Sequence, residues 1–468
     1  MKATFELSAE AKLFQAANHP RIVRYNGAWY LYDASGAYRD ISEEIIRAWM
    51  REAAPYPLSM SRVSSAVDEI KAATVIDDHA YEPPCWLVSE SHRYDARPLI
   101  VCQNGILEPI GRTLSSHDDR LFCFNALPYS YDETAPAPQR WIRFLQEVFS
   151  GDAESISELQ KTFGYLVSHD TRLQKLFAII GPTRSGKGTI GRILNALIGR
   201  LNIAGPSFND LSGDFGLQSL IGKQVAIIAD ARITPRTDRM AVAERLLKIS
   251  GEDAIDVPRK HMPAWYGRLG VRFVIMSNEL PALPDQSGAL SARYVLFQTP
   301  NSFKDRPDLG LDAALHTELP GILLWALEGL RRLWVERVIS TPASARGLLD
   351  EVDSLGSPVK GFIKELCVLE PLANCTKDDL WNHYRGWHTS AGIPGAPLSK
   401  EMFSRALKTA YPGALRDYRP RVDGKPGPMQ WQGVRFDYLR SIPSIIPGAQ
   451  GAIRHDQWSD HGANPWKG

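Results

Sequence analysis

The residues best suited to chemistry lie at the middle of the chain, in Gly181-Pro182-Thr183-Arg184-Ser185-Gly186-Lys187-Gly188-Thr189. An apolar run, LFAII, precedes this segment and a helical pattern, TIGRILNALIG, follows it, which is the context a phosphate-binding loop requires. Glycines let backbone N–H groups converge on phosphate oxygens, and the start of a helix adds its dipole. Lys187 supplies the cation for the β- and γ-phosphates of a nucleotide such as ATP. One position departs from the pattern: Gly188 stands where a Ser or Thr hydroxyl usually meets Mg²⁺, leaving Thr189 as the nearest hydroxyl. Asp230 ends the next strong apolar run, QVAIIAD, and a carboxylate there suits Mg²⁺, directly or through water. Its neighbours Ala229 and Ala231 offer no second acid, so the residue that positions an attacking water stays open. Asn278 ends a third run, RFVIMSN, where a polar group can orient water against a terminal phosphate. Each of these end-of-strand residues has a plainer use as a turn former, and it is their ordered series that points to a site.

Two other groups of side chains carry less. Cys367, Cys375, His383 and His388 are spaced unlike a common zinc site, with the histidines poorly set for one helical face. Cys85, Cys102 and Cys123 read as core residues. Near the C-terminus, Arg405, Lys408, Arg416, Arg419, Arg421, Lys425 and Arg435 interleave with Tyr418 and Trp431. That composition suits either a nucleic-acid-binding surface or a solvated basic face diluted by Asp417, Asp423 and Asp437.

The elements that must position these residues follow from periodicity and turn signals. Short apolar runs at Leu176–Ile180, Val225–Ala229, Phe273–Met276 and Tyr294–Phe297 alternate with helices, the pattern of a covered parallel sheet. A helix over Leu319–Leu333 closes this unit, and residues 339–357 read as a linker with a short helix. Upstream, Asn26-Gly27 and Asn104-Gly105 mark two hairpins, helices are expected at Ile41–Met50 and Val67–Ala73, and the three prolines of 128–138 mark a boundary. Two helices, Arg140–Val148 and Ala153–Leu166, follow. Downstream, helices at Val359–Val368, Lys377–Ser390 and Lys400–Ala410, then strands at Leu415–Val422 and Gln430–Phe436, suggest a winged helix. The expected division is an accessory domain at 1–135, a helical collar at 136–170, a nucleotide-binding α/β domain at 171–338, a winged-helix-like domain at 358–440 and a flexible tail at 441–468.

At this level the chain resembles the superfamily 3 helicases, in particular the helicase module of phage- and plasmid-type primase-helicases. The resemblance rests on GPTRSGKGT, LIGKQVAIIADAR, LLKISGEDAIDVPRKH, RFVIMSNELP with ALSARYVLF, and ELPGILLWALEGLRRL. It implies an AAA+-like P-loop ATPase with a parallel sheet, preceded by a mixed α/β accessory domain, that uses ATP and Mg²⁺, assembles as a homohexameric ring and moves on single-stranded and forked DNA. It also implies a role for two further sites. Lys260 and His261, in VPRKHMP, match the hairpin that grips DNA in the ring channel, and Arg293, in SARYVLF, matches an arginine finger supplied to the neighbouring subunit. Residues 1–135 show no primase acid motif or zinc cluster, so the reading is a helicase without a primase, for which a separate primase is a candidate partner.

Composition narrows the alternatives. With Lys+Arg at 54 and Asp+Glu at 53 in 468 residues, a DNA site must be a local patch. No apolar run approaches the roughly 18 residues of a membrane helix, the N-terminus shows no signal core, and five cysteines fit a reducing compartment, so a cytoplasmic enzyme without membrane contact is expected. Two rival functions remain open: a nucleotide or small-molecule kinase, because Gly-Lys-Gly-Thr also occurs in such loops, and an origin-binding assembly protein that uses ATP only to form a ring.

Overall fold

Four of the apolar runs form strands, Leu176–Ile180, Val225–Ile228, Arg272–Ser277 and Tyr294–Gln298, and with the two-residue strand Ile203–Ala204 they make one parallel sheet. In chain order these are β1 (Leu176–Ile180), β2 (Ile203–Ala204), β3 (Val225–Ile228), β4 (Arg272–Ser277) and β5 (Tyr294–Gln298), and across the sheet they run β2-β3-β4-β1-β5. The structure is a computed structural model, and it describes residues 8–16, 21–76, 80–87, 96–229, 231–285, 287–306, 308–393, 396–422 and 425–437. The segment 441–468, expected to be a flexible tail, lies outside them.

Successive side chains of a strand point to opposite faces, and here both faces are covered. Phe177, Ile179, Val274, Met276, Val295 and Phe297 join one core with the helices Gln139–Val148, Ala153–Val167, Lys187–Ile198 and Leu319–Glu336. Leu176, Ala178, Ile180, Phe273, Ile275 and Leu296 join a second, with the helices Phe208–Ser212 and Arg239–Ser250. Burial on both faces is why these strands read as unbroken apolar runs rather than alternating ones.

The first core is closed by a tight crossing of the Ala153–Val167 and Leu319–Glu336 helices. A Cβ on Gly164 would stand 2.3 Å from the Ala326 carbonyl oxygen, and one on Gly329 would stand 2.1 Å from that of Gln160, so each helix gives the other a glycine to approach. Lys161, 2% exposed, adds a charged tie: its Nζ lies 2.7 Å from Glu158, 2.6 Å from Glu336 and 3.1 Å from the Val338 carbonyl. Asp152 caps the first helix by accepting from the Glu154 and Ser155 amides.

The N-terminal hairpin pairs Ile22–Tyr25 with Ala28–Tyr32 around Asn26 (φ 49°) and Gly27 (φ 72°), the two left-handed positions of a type I′ turn. The second hairpin differs from expectation by one residue. Cys102 sits opposite Gly105, so the turn is Gln103-Asn104 and Gly105 opens the strand. There it faces the Ser115 carbonyl oxygen, which a Cβ would approach to 2.1 Å. The helices Glu43–Ala53 and Met60–Thr74 are capped by Ser42 and Ser59, and the second is twice the length that apolar spacing alone outlines.

Residues 339–357 are not a linker. Ala345 and Val352, the latter in the helix Arg346–Gly356, enter the second core, and Thr341 Oγ1 accepts from the Leu296 amide at 3.1 Å. The chain divides instead into units of residues 1–357 and 358–468. The second unit has its own core around Phe362, Tyr384, Phe403 and Trp431. It runs helix Pro358–Leu366, strand Cys367–Thr376, helices Lys377–Ser390 and Lys400–Ala410, then strands Arg416–Tyr418 and Gln430–Phe436, the last of these central in a three-stranded antiparallel sheet. The ten-residue strand Cys367–Thr376 was not expected. It carries Glu370-Pro371 and a register shift between Leu369 and Asn374, which break the alternation that marks a strand.

His169 is buried behind the sheet, its Nδ1 donating to the Leu99 carbonyl at 3.2 Å. Burial and the nearby Arg272 guanidinium depress its pKa to about 3. A histidine held neutral in the fold but protonated when unfolded contributes stability that is complete above about pH 6.5 and is lost as pH falls toward 3. Urea titrations should therefore show stability of the wild type falling by up to about 1.4 kcal/mol per pH unit below 6.5 from this group, and His169→Asn should remove that slope. Parallel pH profiles for the two proteins would contradict the assignment.

Candidate functional site

β1 ends at Ile180, and the chain turns through Gly181–Gly186 into the helix Lys187–Ile198. Because β1 lies between β4 and β5, its C-terminal end is a point where the strand order reverses, the place where open α/β sheets bind ligands. Gly186, at φ 95°, is the helix N-cap and brings no side chain, so the first-turn amides have no side-chain acceptor. Pro182, Thr183 and Arg184 are exposed, whereas Ser185 and Lys187 are buried.

The loop is seated on three sides. A Cβ at Gly181 would stand 2.1 Å from Thr299 Oγ1 and 2.3 Å from the Thr299 carbonyl oxygen, which only glycine permits. Thr299 Oγ1 also shares a 2.7 Å hydrogen bond with Ser185 Oγ. The segment after β5 continues the support: Ser302 Oγ donates to the Thr183 carbonyl at 2.9 Å, and the Phe303 amide donates to the Arg184 carbonyl at 2.9 Å. Behind Gly186 lies the helix Gln139–Val148, where a Cβ would meet Val148 Cγ2 at 2.6 Å.

Lys187 folds back over the loop. Its Nζ donates to the Gly181 carbonyl (2.6 Å), the Pro182 carbonyl (2.7 Å) and Ser185 Oγ (3.1 Å). All three acceptors are neutral, and burial lowers the pKa of the ammonium below the ordinary lysine value. An ammonium partly removed from water, with no carboxylate partner among the described residues, gains from an added anion. Around it, Asn278 is exposed at the end of β4, its Nδ2 donating to Thr183 Oγ1 at 3.5 Å. Thr189 Oγ1 accepts from Arg192 Nη2 at 3.1 Å, while Arg192 Nε donates to Asp312 at 2.7 Å. Asp230 lies outside the described residues. Lys187, Thr189 and Asn278 are thus gathered at one edge of the sheet.

Arg293 is not among them. Register pairs Tyr294 with Leu176 and Gln298 with Ile180, so Arg293 stands at the opposite end of the sheet from the loop, at least about 13 Å away at strand rise. Its Nη1 donates to the Leu247 carbonyl and, at 2.8 Å, to Ser250 Oγ, at the C-terminal end of the helix Arg239–Ser250. Lys260 and His261 form the two-residue tip of a hairpin between Ile255–Arg259 and Met262–Gly267, both exposed, with His261 at φ 57°.

The C-terminal basic residues are less available than their number suggests. Lys408 pairs with Asp417 at 2.7 Å and Arg435 with Glu370 at 2.9 Å. Trp431 is fully buried, with Lys377 and Lys408 over its ring, so it is a core residue and not a stacking platform. Burial pushes the thiols of Cys102, Cys367 and Cys375 to about 12 and that of Cys123 to about 11, so they stay protonated. Sequence reasoning missed Thr299 and Ser302, whose hydroxyls reach the loop from far along the chain and so carry no motif.

Two glycines of the loop should respond in opposite ways to a methyl group. Gly181→Ala forces Thr299 aside and should cost about 1–3 kcal/mol. At Gly188 a Cβ meets only Arg192 Nη1, at 3.5 Å, and Gly188→Ala in a helix should be neutral or stabilising by up to about 1 kcal/mol. Equal urea midpoints for the two variants would contradict this packing.

Residues 11–150 match the family described as "D5 N terminal like". Residues 179–293, the stretch holding the loop, the hairpin tip, Asn278 and Arg293, match "Family of unknown function (DUF5906)". Among solved structures, "The A form apo structure of NrS-1 C terminal region-CTR" superimposes with a TM-score of 0.54 at 12% identity, over 92% of this chain and 100% of that one. "The apo structure of NrS-1 C terminal region (305-718)" gives 0.52 at 14% identity, over 92% and 100%. At such identities the likeness is one of fold. The chain therefore joins a D5 N terminal like segment to a five-stranded parallel sheet, in the fold of the NrS-1 C-terminal region.

Proposed function

We propose that this chain is an ATP-dependent DNA helicase of the superfamily 3 type, acting as a homohexameric ring in the replication of a phage, plasmid or integrated element. The observation that carries the reading is Lys187: a buried ammonium whose acceptors among the described residues are all neutral, on a glycine loop at the switch point of a parallel sheet. A D5 N terminal like segment upstream and the NrS-1 fold support it. No described helix is long and apolar enough to cross a membrane.

In this reading Gly181–Thr189 holds the triphosphate of ATP. Lys187 exchanges its carbonyl partners for β- and γ-phosphate oxygens. Thr189 and Asp230 offer one hydroxyl and one carboxylate, hard oxygen donors suited to Mg²⁺, which keeps most of its waters. That ion would neutralise charge on the phosphates. Asn278, beside Thr183, holds the attacking water. Arg293 cannot reach its own loop, so it serves the neighbour's nucleotide, stabilising charge that develops in the transition state. Lys260 and His261 contact the backbone of single-stranded or forked DNA, which needs no base sequence.

Lys187→Ala should abolish hydrolysis and unwinding while the fold survives; unwinding at a comparable rate would sink the site. Arg293→Ala should still bind ATP yet hydrolyse it on the order of 10³-fold more slowly. Losing its bonds to Leu247 and Ser250 should by itself cost only about 1–2 kcal/mol of stability. Mixing separates the roles. Rings combining Arg293→Ala with Lys187→Ala chains contain interfaces with an intact loop and an intact neighbouring Arg293, so ATPase should partly return. No recovery in rings shown to be mixed would overturn the trans role.

A further inference from the structure

The hairpin that carries Lys260 and His261 does not stand free of the N-terminal segment. Arg259, the last residue of its first strand, donates from Nη2 to the Asn26 carbonyl at 2.9 Å and from Nε to the Pro263 carbonyl at 2.8 Å. Asn26 answers from the other side, its Nδ2 donating to the Tyr266 carbonyl at 3.3 Å. One side chain from each hairpin thus holds the backbone of the other, across more than 200 residues of sequence. The Asn26-Gly27 turn suits this use. Both residues are left-handed, which turns the Asn26 carbonyl and side chain outward together, and Gly27 Cα leaves a Cβ-sized space 3.5 Å from Arg259 Nη2. Behind the turn, Tyr30 stacks on Phe124 with ring centroids 4.7 Å apart and packs edge-on to Phe122, so the strand presenting the turn is rigid. On the tip itself, the Lys260 amide donates to Gln218 Oε1 at 3.2 Å, a tie to the body of the sheet domain.

We propose that Arg259 and the Asn26-Gly27 turn form a latch by which the N-terminal segment fixes the root of the Ile255–Gly267 hairpin and so sets where Lys260 and His261 meet DNA. The inference rests on the DNA-contact reading of that tip. Arg259 is a positioning residue: its Nε and Nη2 are engaged by the Pro263 and Asn26 carbonyls. Two hydrogen bonds to backbone acceptors at a partly exposed site are a modest constraint. That is what a hairpin needs if it is to be held in one place at rest and still move during a cycle of nucleotide exchange.

The test uses the full chain with Arg259→Met, which keeps the stem and removes the donors, Asn26→Gly, which keeps the left-handed turn and removes only the side-chain bond, and Arg259→Lys as the conservative variant. Hydrogen exchange of the 255–267 amides, measured without DNA, should quicken in Arg259→Met and less so in Asn26→Gly, with Arg259→Lys close to wild type. The single-stranded DNA concentration giving half-maximal ATPase stimulation should rise roughly three- to tenfold in Arg259→Met, corresponding to about one net hydrogen bond, with basal ATPase unchanged. Unchanged exchange in both Arg259→Met and Asn26→Gly would overturn the latch, and faster exchange with unaltered DNA half-saturation would overturn its positioning role. Lys260→Ala combined with His261→Ala is run alongside. If that protein responds to DNA as the wild type does, the tip reading fails, while the exchange result still judges the latch.

Discussion

Gly181 lies so close to Thr299 that there is no room for a side chain between them, and much of the site follows from that contact. It pins the end of β1 to the start of the segment after β5, which in turn bonds the carbonyls of Thr183 and Arg184. With Gly186 pressed on Val148 from behind, the loop has little freedom, and the helix beginning at Lys187 opens toward solvent with no side-chain cap. Lys187 is then left buried among carbonyls. The sheet order puts Asn278 of β4 against the same loop. The chemistry proposed for Lys187 is thus a consequence of close backbone packing.

The same sheet separates two groups of residues along its strands. The loop and Asn278 lie at the C-terminal edge, and Arg293 lies at the other, tied to the end of the Arg239–Ser250 helix. A guanidinium in that position can act on a nucleotide only if that nucleotide belongs to another subunit. A neighbouring subunit, as the proposed ring would supply, is therefore a geometric requirement of assigning Arg293 to catalysis, and without one Arg293 is a helix-end tie. The Lys260–His261 tip, bound at its root to the N-terminal hairpin, connects the accessory segment to the same domain.

Much of this was legible in the sequence, and what was not has physical reasons. Four of the five strands are continuous apolar runs because both faces of the sheet are buried, and the loop shows itself through glycines and lysine. The fifth strand, Ile203–Ala204, is too short to show a pattern. Residues 339–357 look like a linker because their apolar residues are sparse, yet Ile339 enters the first core and Ala345 and Val352, with Leu348 and Leu349 beside them, dock on the second. Trp431 looked like a stacking aromatic among basic residues, but aromatic size favours the core of a small unit. Asn104-Gly105 named the second hairpin and misplaced its turn by one residue, because the glycine is needed to pass the Ser115 carbonyl. The supporting residues Thr299, Ser302 and Asn26 act through distance in three dimensions, which spacing along the chain does not encode.

The proposed function depends on ATP hydrolysis at Gly181–Thr189 that responds to DNA. It is tested most directly by the steady-state ATPase rate of the unmodified chain, with and without single-stranded DNA and with no small-molecule phosphate acceptor present. The basal rate should rise on adding single-stranded DNA and lose that rise as salt increases, since phosphate contacts release counterions. A rate indifferent to DNA, or phosphate transfer that appears only when a small acceptor is supplied, would contradict it.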